Sequence, residues 1–265
     1  MSAESAAKEW NAASYHRVSG PQTEWGRRVL ARLQVRGDER VIDAGCGTGR
    51  LTTELMHLLP RGRLVAVDRS WNMLLTARAN LRPEFGDRVS YVRVELPMLP
   101  FNGWADLVFS TATFHWVRDH QRLFDEILQS LRPGGRLFAQ CGGGPNLHEA
   151  HRLAEDVMRR APFAEFFLDW KGVWEFSTPE EAAARLESAG FVDIKTSLEP
   201  APTTLVDEDS YREFVTTVIY NPHLTWLPEG PLRVQFIDEV TSLAARQDPP
   251  YTLDYWRLNL EGMRP

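Results

Sequence analysis

The chain has 265 residues, 43% of them hydrophobic and 25% charged, a globular composition with enough length to bury a core unaided. Its longest apolar run is four residues, Leu64 to Val67, which excludes a membrane-spanning helix. A formal charge of −6 argues against nucleic acid as the main partner, and two cysteines, Cys46 and Cys141, exclude a disulfide framework. The opening MSAESAAKEW has neither the basic start nor the apolar stretch of a secretory signal, so a cytoplasmic protein without membrane attachment is expected, as a monomer or homodimer.

In chain order, Trp10, Tyr15, Val18, Trp25, Val29 and Leu33 are spaced for one face of helical segments, which Gly20-Pro21 interrupts. After the Gly37-Asp38 turn, Arg40 to Asp43 reads as a strand, a glycine-rich turn follows, and Arg50 to Leu59 reads as a helix. Arg63 to Asp68 is a second strand, Trp71 to Leu81 a helix with Pro83 and Gly86 beyond its end, and Val89 to Val94 a third strand. Ala105 to Ser110, a helix from His120 to Leu131, a turn at Arg132-Pro133-Gly134-Gly135 and a strand from Arg136 to Cys141 complete the alternation. Continuous apolar strands alternating with helices predict a doubly wound, mostly parallel α/β sheet covered on both faces.

Beyond Cys141 the pattern predicts helices over 147–168, 180–189, 207–220 and 231–246, and strands over 191–198 and 252–260. The prolines at 200–202, 228–231 and 249–250 mark short loops, not linkers. The expectation is one domain: a helical lid over 1–36, a core over 37–144, and cap insertions at about 145–176 and 201–250.

Asp43-Ala44-Gly45-Cys46-Gly47-Thr48-Gly49 joins the first strand to its helix. Three alternate glycines let the backbone approach a ligand closely, and the following helix points free N–H groups at the same place. The spacing departs from the dinucleotide pattern G-x-G-x-x-G, since position 50 is Arg, and the G-K-[ST] ending of a P-loop is absent. Asp43 at the strand end would repel pyrophosphate and attract an ammonium. Asp68, at the end of the second strand, can accept from both hydroxyls of a ribose.

Five motifs in order then resemble the class I S-adenosylmethionine-dependent methyltransferases: Asp43 to Gly49, Val65 to Asp68, Glu95 ahead of Leu99-Pro100-Phe101, Ala105 to Ser110, and Leu131 to Gly135. The resemblance covers residues 40–141 and implies a seven-stranded Rossmann-like sheet and S-adenosylmethionine as cofactor. It implies Gly45, Cys46 and Gly47 beneath the methionine part, Asp43 facing the ammonium and Asp68 on the ribose. Glu95 and the Leu96 N–H would meet the adenine, with Arg69, Met73, Ser110 and Tyr15 also at the cofactor and Trp71 beside it. Glu95 stands where the family usually has Asp, and a solvated loop acid is the competing reading. For Trp71 and Met73 the competing reading is plain core.

His115-Trp116 after the fourth strand, and the opening Trp10 to Arg17, resemble the branch that methylates the carboxylates of trans-aconitate and malonyl carriers. Residues Tyr255 to Asn259 resemble it loosely. The resemblance makes His115 the candidate catalytic residue, as a base or as a packing histidine, and His16 and Arg17 candidates for orienting acceptor or cofactor. A carboxylate acceptor needs no base, whereas a phenol or amine acceptor does. The second insertion, 201–250, carries eight acids against three arginines, a net of −5, which argues against a tricarboxylate. Its aromatics, with Phe163, Phe166, Phe167, Trp170 and Trp174, favour a small, largely apolar acceptor or simply glue the insertions down. O-methylation of a carboxylate or hydroxyl is expected, with N- or C-methylation, or cofactor binding without transfer, as alternatives. No metal is expected: His148 and His151 have no evident carboxylate partner.

Overall fold

The computed structural model describes residues 20–265. The readings at Trp10, Tyr15, His16, Arg17 and Val18 fall outside that range. Contacts divide the chain into two compact units. The first takes residues 20–144, Glu175–Leu198 and Leu258–Pro265, and the second takes Pro145–Trp174 and Glu199–Arg257. Among the described residues no helix is long and apolar enough to cross a membrane.

The first unit is built on a seven-stranded sheet of order β3-β2-β1-β4-β5-β9-β6. Its strands are β1 (Arg40–Ala44), β2 (Arg63–Asp68), β3 (Val89–Arg93), β4 (Ala105–Thr111), β5 (Leu131–Gly142), β6 (Val192–Pro200) and β9 (Trp256–Met263). The pairs β1–β2, β1–β4, β2–β3 and β4–β5 are all parallel. Helices α1 (Gly20–Arg32), α2 (Arg50–His57), α3 (Trp71–Phe85), α4 (His120–Ser130) and α6 (Pro179–Ala189) belong to the same unit.

Alternation along each strand divides the core between two faces. Ile42, Ala44, Val65, Val67 and Val108 join one buried cluster with Leu123, Ile127 and Leu186. Val41, Leu64, Ala66, Leu107 and Phe109 join the other with Val29, Leu55 and Leu81. Each fully buried Leu or Phe contributes about 1.5–3 kcal/mol, so two such faces hold the β1–β5 core firmly.

The order reverses between β1 and β4, which opens a crevice beyond their carboxyl ends. Several boundaries differ from the sequence reading. Gly20 and Pro21 lie in the first turn of α1, where proline is tolerated. Pro83 lies inside the last turn of α3, which ends at Gly86. The Arg132 to Gly135 segment belongs to β5 as a register shift opposite Ala105/Leu107. There an added Cβ on Gly135 would come within 2.8 Å of the Ala105 carbonyl.

The second unit holds α5 (His148–Met158), α7 (Glu208–Phe214), a π-helical turn (Val215–Ile219), α8 (Asn221–Leu224) and α9 (Pro231–Ala244). A two-stranded antiparallel ladder, β7 (Thr203–Thr204) and β8 (Thr252–Leu253), joins them. The Asp254 carboxylate accepts from the Glu149 N–H at 2.9 Å and caps α5. The expected 147–168 helix stops at Met158 ahead of Pro162, and a short 3-10 turn occupies Ala164–Phe166. The expected final strand splits between two sheets, β8 and β9.

Candidate functional site

The turn between β1 and α2 sits at the crevice, and its three glycines serve different purposes. All have positive φ, at 86°, 54° and 80° for Gly45, Gly47 and Gly49, where L side chains are strained. A Cβ on Gly45 would lie 2.1 Å from Thr113 Oγ1, so this glycine makes room for the turn after β4. A Cβ on Gly49 would press on Leu81 and Ala77, so this one lets α3 approach. Only Gly47 faces open space, with nothing within 4 Å of an added Cβ.

Two acids flank that opening. Asp43, at the end of β1, is buried and accepts from the Thr52 hydroxyl at 2.6 Å. Burial pushes its carboxyl up to about 7, aided by the nearby Asp68 charge and opposed by the Thr52 bond. Asp68, at the end of β2, accepts from the Gly47 N–H at 3.0 Å and from the Ser70 N–H at 2.8 Å, one on each oxygen. Those bonds hold the carboxylate in place at the mouth of the turn. The Asn80 amide donates to the Thr48 carbonyl at 2.9 Å and ties the turn to α3. Cys46 is half-buried, with its thiol pushed well up by burial and the two acids.

The remaining expected positions scatter. Glu95 is exposed and lies 3.8 Å from Arg69 in an ion pair at the rim, as a solvated acid would. Leu96 is partly buried against the core. Met73 is buried in the first turn of α3, while Trp71 is half exposed. Ser110 is buried, and its hydroxyl donates to the Ala44 carbonyl at 2.7 Å, tying β4 to β1.

His115 lies in a 3-10 turn, Phe114–Trp116, just past β4. Its Nδ1 accepts from the Gly142 N–H at 3.2 Å, so the neutral ring carries its proton on Nε2. The Glu175 N–H donates to the His115 carbonyl at 2.9 Å. Beneath the turn, buried His120 bonds the Phe114 carbonyl at 3.0 Å and Ser177 at 2.9 Å, and burial lowers its pKa. Arg185 donates to Ser177 and pairs with Glu175 at 3.1 Å. No sequence pattern signals Thr52, Thr113, Gly142 or this second layer, because each partner is distant along the chain or a backbone group.

The donor set fits a nucleoside that carries a cation. Two carboxylates border a glycine open to close approach, and no basic residue stands in the turn to receive a phosphate ahead of Arg50, whose guanidinium donates to Thr23 at 3.1 Å. The comparisons agree. A methyltransferase domain profile matches residues 42–139. Trans-aconitate 2-methyltransferase of Deinococcus radiodurans is 30% identical over 242 residues, covering 86% of this chain and 87% of that protein. The protein of that name in Variovorax paradoxus is 34% identical over 246 residues, covering 87% of each. Two solved structures share the fold. Phosphoethanolamine N-methyltransferase 2 of Haemonchus contortus has TM-score 0.62 and 18% identity, covering 96% of this chain and 57% of that one. The YcgJ protein of Bacillus subtilis has TM-score 0.61 and 17% identity, covering 91% and 98%. With a methyltransferase domain matched over residues 42–139 and relatives at 30% and 34% identity along most of its length, the chain belongs to the class I S-adenosylmethionine-dependent methyltransferases.

Proposed function

We propose that the protein transfers a methyl group to the carboxylate oxygen of a small, largely apolar acid. The observation that carries this reading is the hydrogen bond from the Gly142 N–H to His115 Nδ1. It leaves Nε2 as a donor, suited to holding an anionic oxygen and unsuited to removing a proton. A carboxylate is already ionised at neutral pH and needs only alignment and exclusion of water. The Deinococcus and Variovorax relatives are named for a carboxylate-bearing acceptor, trans-aconitate, which supports a carboxylate here.

S-adenosylmethionine, when bound, supplies an activated methyl on a sulfonium. Asp43 would hold its ammonium, Asp68 its ribose hydroxyls, and Gly47 would lie beneath its amino-acid part, with Cys46 beside it. Within the second unit, Arg152, Arg159, Arg212 and Arg233 pair with Glu149, Glu155, Asp238 and Glu229. Eight acids against three arginines over 201–250 favour an acceptor with one carboxylate over one with three.

The test is release of S-adenosylhomocysteine with a panel of aromatic and aliphatic acids, trans-aconitate, phenols and amines. Turnover with monocarboxylic acids is expected. His115→Gln, whose amide N–H reaches about as far as Nε2, should keep much more activity than His115→Ala. Turnover confined to phenols or amines, or equal loss in both variants, overturns the reading.

A further inference from the structure

We propose a second ligand site, for a small polyanion, at the amino-terminal edge of the sheet. A cavity of about 380 Å³ lies there, lined by Arg36, Arg132 and Arg136 with Glu39, Asp106 and Gln34. That volume suits a metabolite-sized ligand. The site uses none of the residues assigned to the cofactor or acceptor. It sits at the opposite strand ends from the glycine turn, about 15 Å away along a five-residue strand.

The sheet builds the site. The register shift in β5 throws Arg132 out toward Asp106 at the start of β4, 2.5 Å from Nε to Oδ1, and returns Arg136 to the ladder opposite Leu107. Arg36, from the segment before β1, also faces Asp106, at 3.7 Å. Asp106 is mostly buried and its pKa is held low; burial opposes this, but the Arg40 N–H and the Arg132 guanidinium prevail. Glu39 is consumed locally, accepting the N–H groups of Arg36, Gly37 and Asp38 at 2.6, 2.9 and 3.2 Å.

Arg136 has no such partner. It is half-buried, and among the described residues it has neither an ion pair nor a side-chain hydrogen bond. With Asp38 on Arg36 at 3.3 Å and Arg40 on Asp106 at 3.5 Å counted in, four guanidinium groups face three carboxylates, a surplus positive charge in a chain whose formal charge is −6. A guanidinium held half out of water without a counter-charge is a place where a carboxylate or phosphate binds by paired N–H donors. A ligand with two or more negative charges would bridge Arg136 to Arg132 and Arg36.

The experiment is calorimetric titration of the full chain with pyrophosphate and with citrate, at fixed ionic strength. Arg136→Gln and Gln34→Glu are run in parallel; the second adds a negative charge on an exposed wall residue. Binding at one site per chain is expected, weakened tenfold or more by each variant, with affinity for S-adenosylhomocysteine unchanged in both. A response to pyrophosphate alone marks a phosphorylated ligand, and a response to citrate alone marks a polycarboxylate. Absence of binding by both anions, or binding unaltered in both variants, overturns the proposal. Citrate seated at the acceptor site falls under that last outcome, so the two readings fail separately.

Discussion

Lowering the pH should weaken cofactor binding through Asp43. In the ligand-free protein this buried carboxyl sits at about 7, with the Thr52 hydroxyl its hydrogen-bond donor. An ammonium placed against it favours the ionised form and returns it toward the ordinary value near 4. Binding then releases about half a proton at pH 7. Apparent affinity for S-adenosylhomocysteine should fall about tenfold between pH 8 and pH 6, and about a hundredfold by pH 5, at about 1.4 kcal/mol per tenfold. Stability of the ligand-free protein runs the other way. A folded-state pKa above the unfolded value contributes stability below the carboxylate range, and that contribution is lost as pH rises through about 7. Calorimetry in two buffers of different ionisation enthalpy counts the proton directly. Asp43→Asn should bind more weakly at pH 8 and show a flatter profile. A wild-type affinity constant from pH 5 to 8, with no proton released, would refute the ammonium assignment.

Ser110→Ala should cost about 0.5–1.5 kcal/mol of unfolding free energy in denaturant titration, with cofactor affinity unchanged, because its hydroxyl bonds only within the sheet. Gly47→Ala should lose about 1–2 kcal/mol of stability to its positive φ and, in addition, bind S-adenosylhomocysteine less well; a purely conformational cost with intact affinity would remove Gly47 from the cofactor seat. Burial holds His151 down to about 4, so its contribution to stability is present above its ordinary value near 6.5 and is lost as pH falls toward 4, an effect of about 3 kcal/mol. His151→Phe, which keeps a ring against Trp174, should flatten that part of the acid unfolding curve. His120→Ala should lower turnover more than cofactor affinity, since it removes support from the turn that carries His115; an unchanged kcat would separate the two.

The alternation over 40–141 was readable because a parallel sheet buried on both faces forces continuous apolar strands such as Leu64 to Val67 between capped helices. The placing of Asp43, Gly47 and Asp68 around one strand-end turn was readable because strand-end acids and a glycine turn are local patterns. What pattern could not distinguish is which glycine faces open space. Gly45 and Gly49 carry the same letter as Gly47, but Thr113 and Ala77 decide their purpose from across the fold. Ser110 stands near the end of a strand at the crevice, and only the structure reveals that its hydroxyl donates to the Ala44 carbonyl. Beyond 141 the boundaries drifted. There proline placement and long-range caps such as Asp254 on α5 set helix ends, and neither follows from periodicity.

The strand order carries a consequence for synthesis. Strands β1 to β5 are complete once Gly142 has been made, but β9, the neighbour of β5, comes from Trp256–Met263. A nascent chain therefore holds the β5 margin bare while more than a hundred further residues leave the ribosome, and a bare margin recruits other strands. Chains cut short before 256 should accumulate as insoluble material, and chaperone demand should track how long that margin waits for its partner.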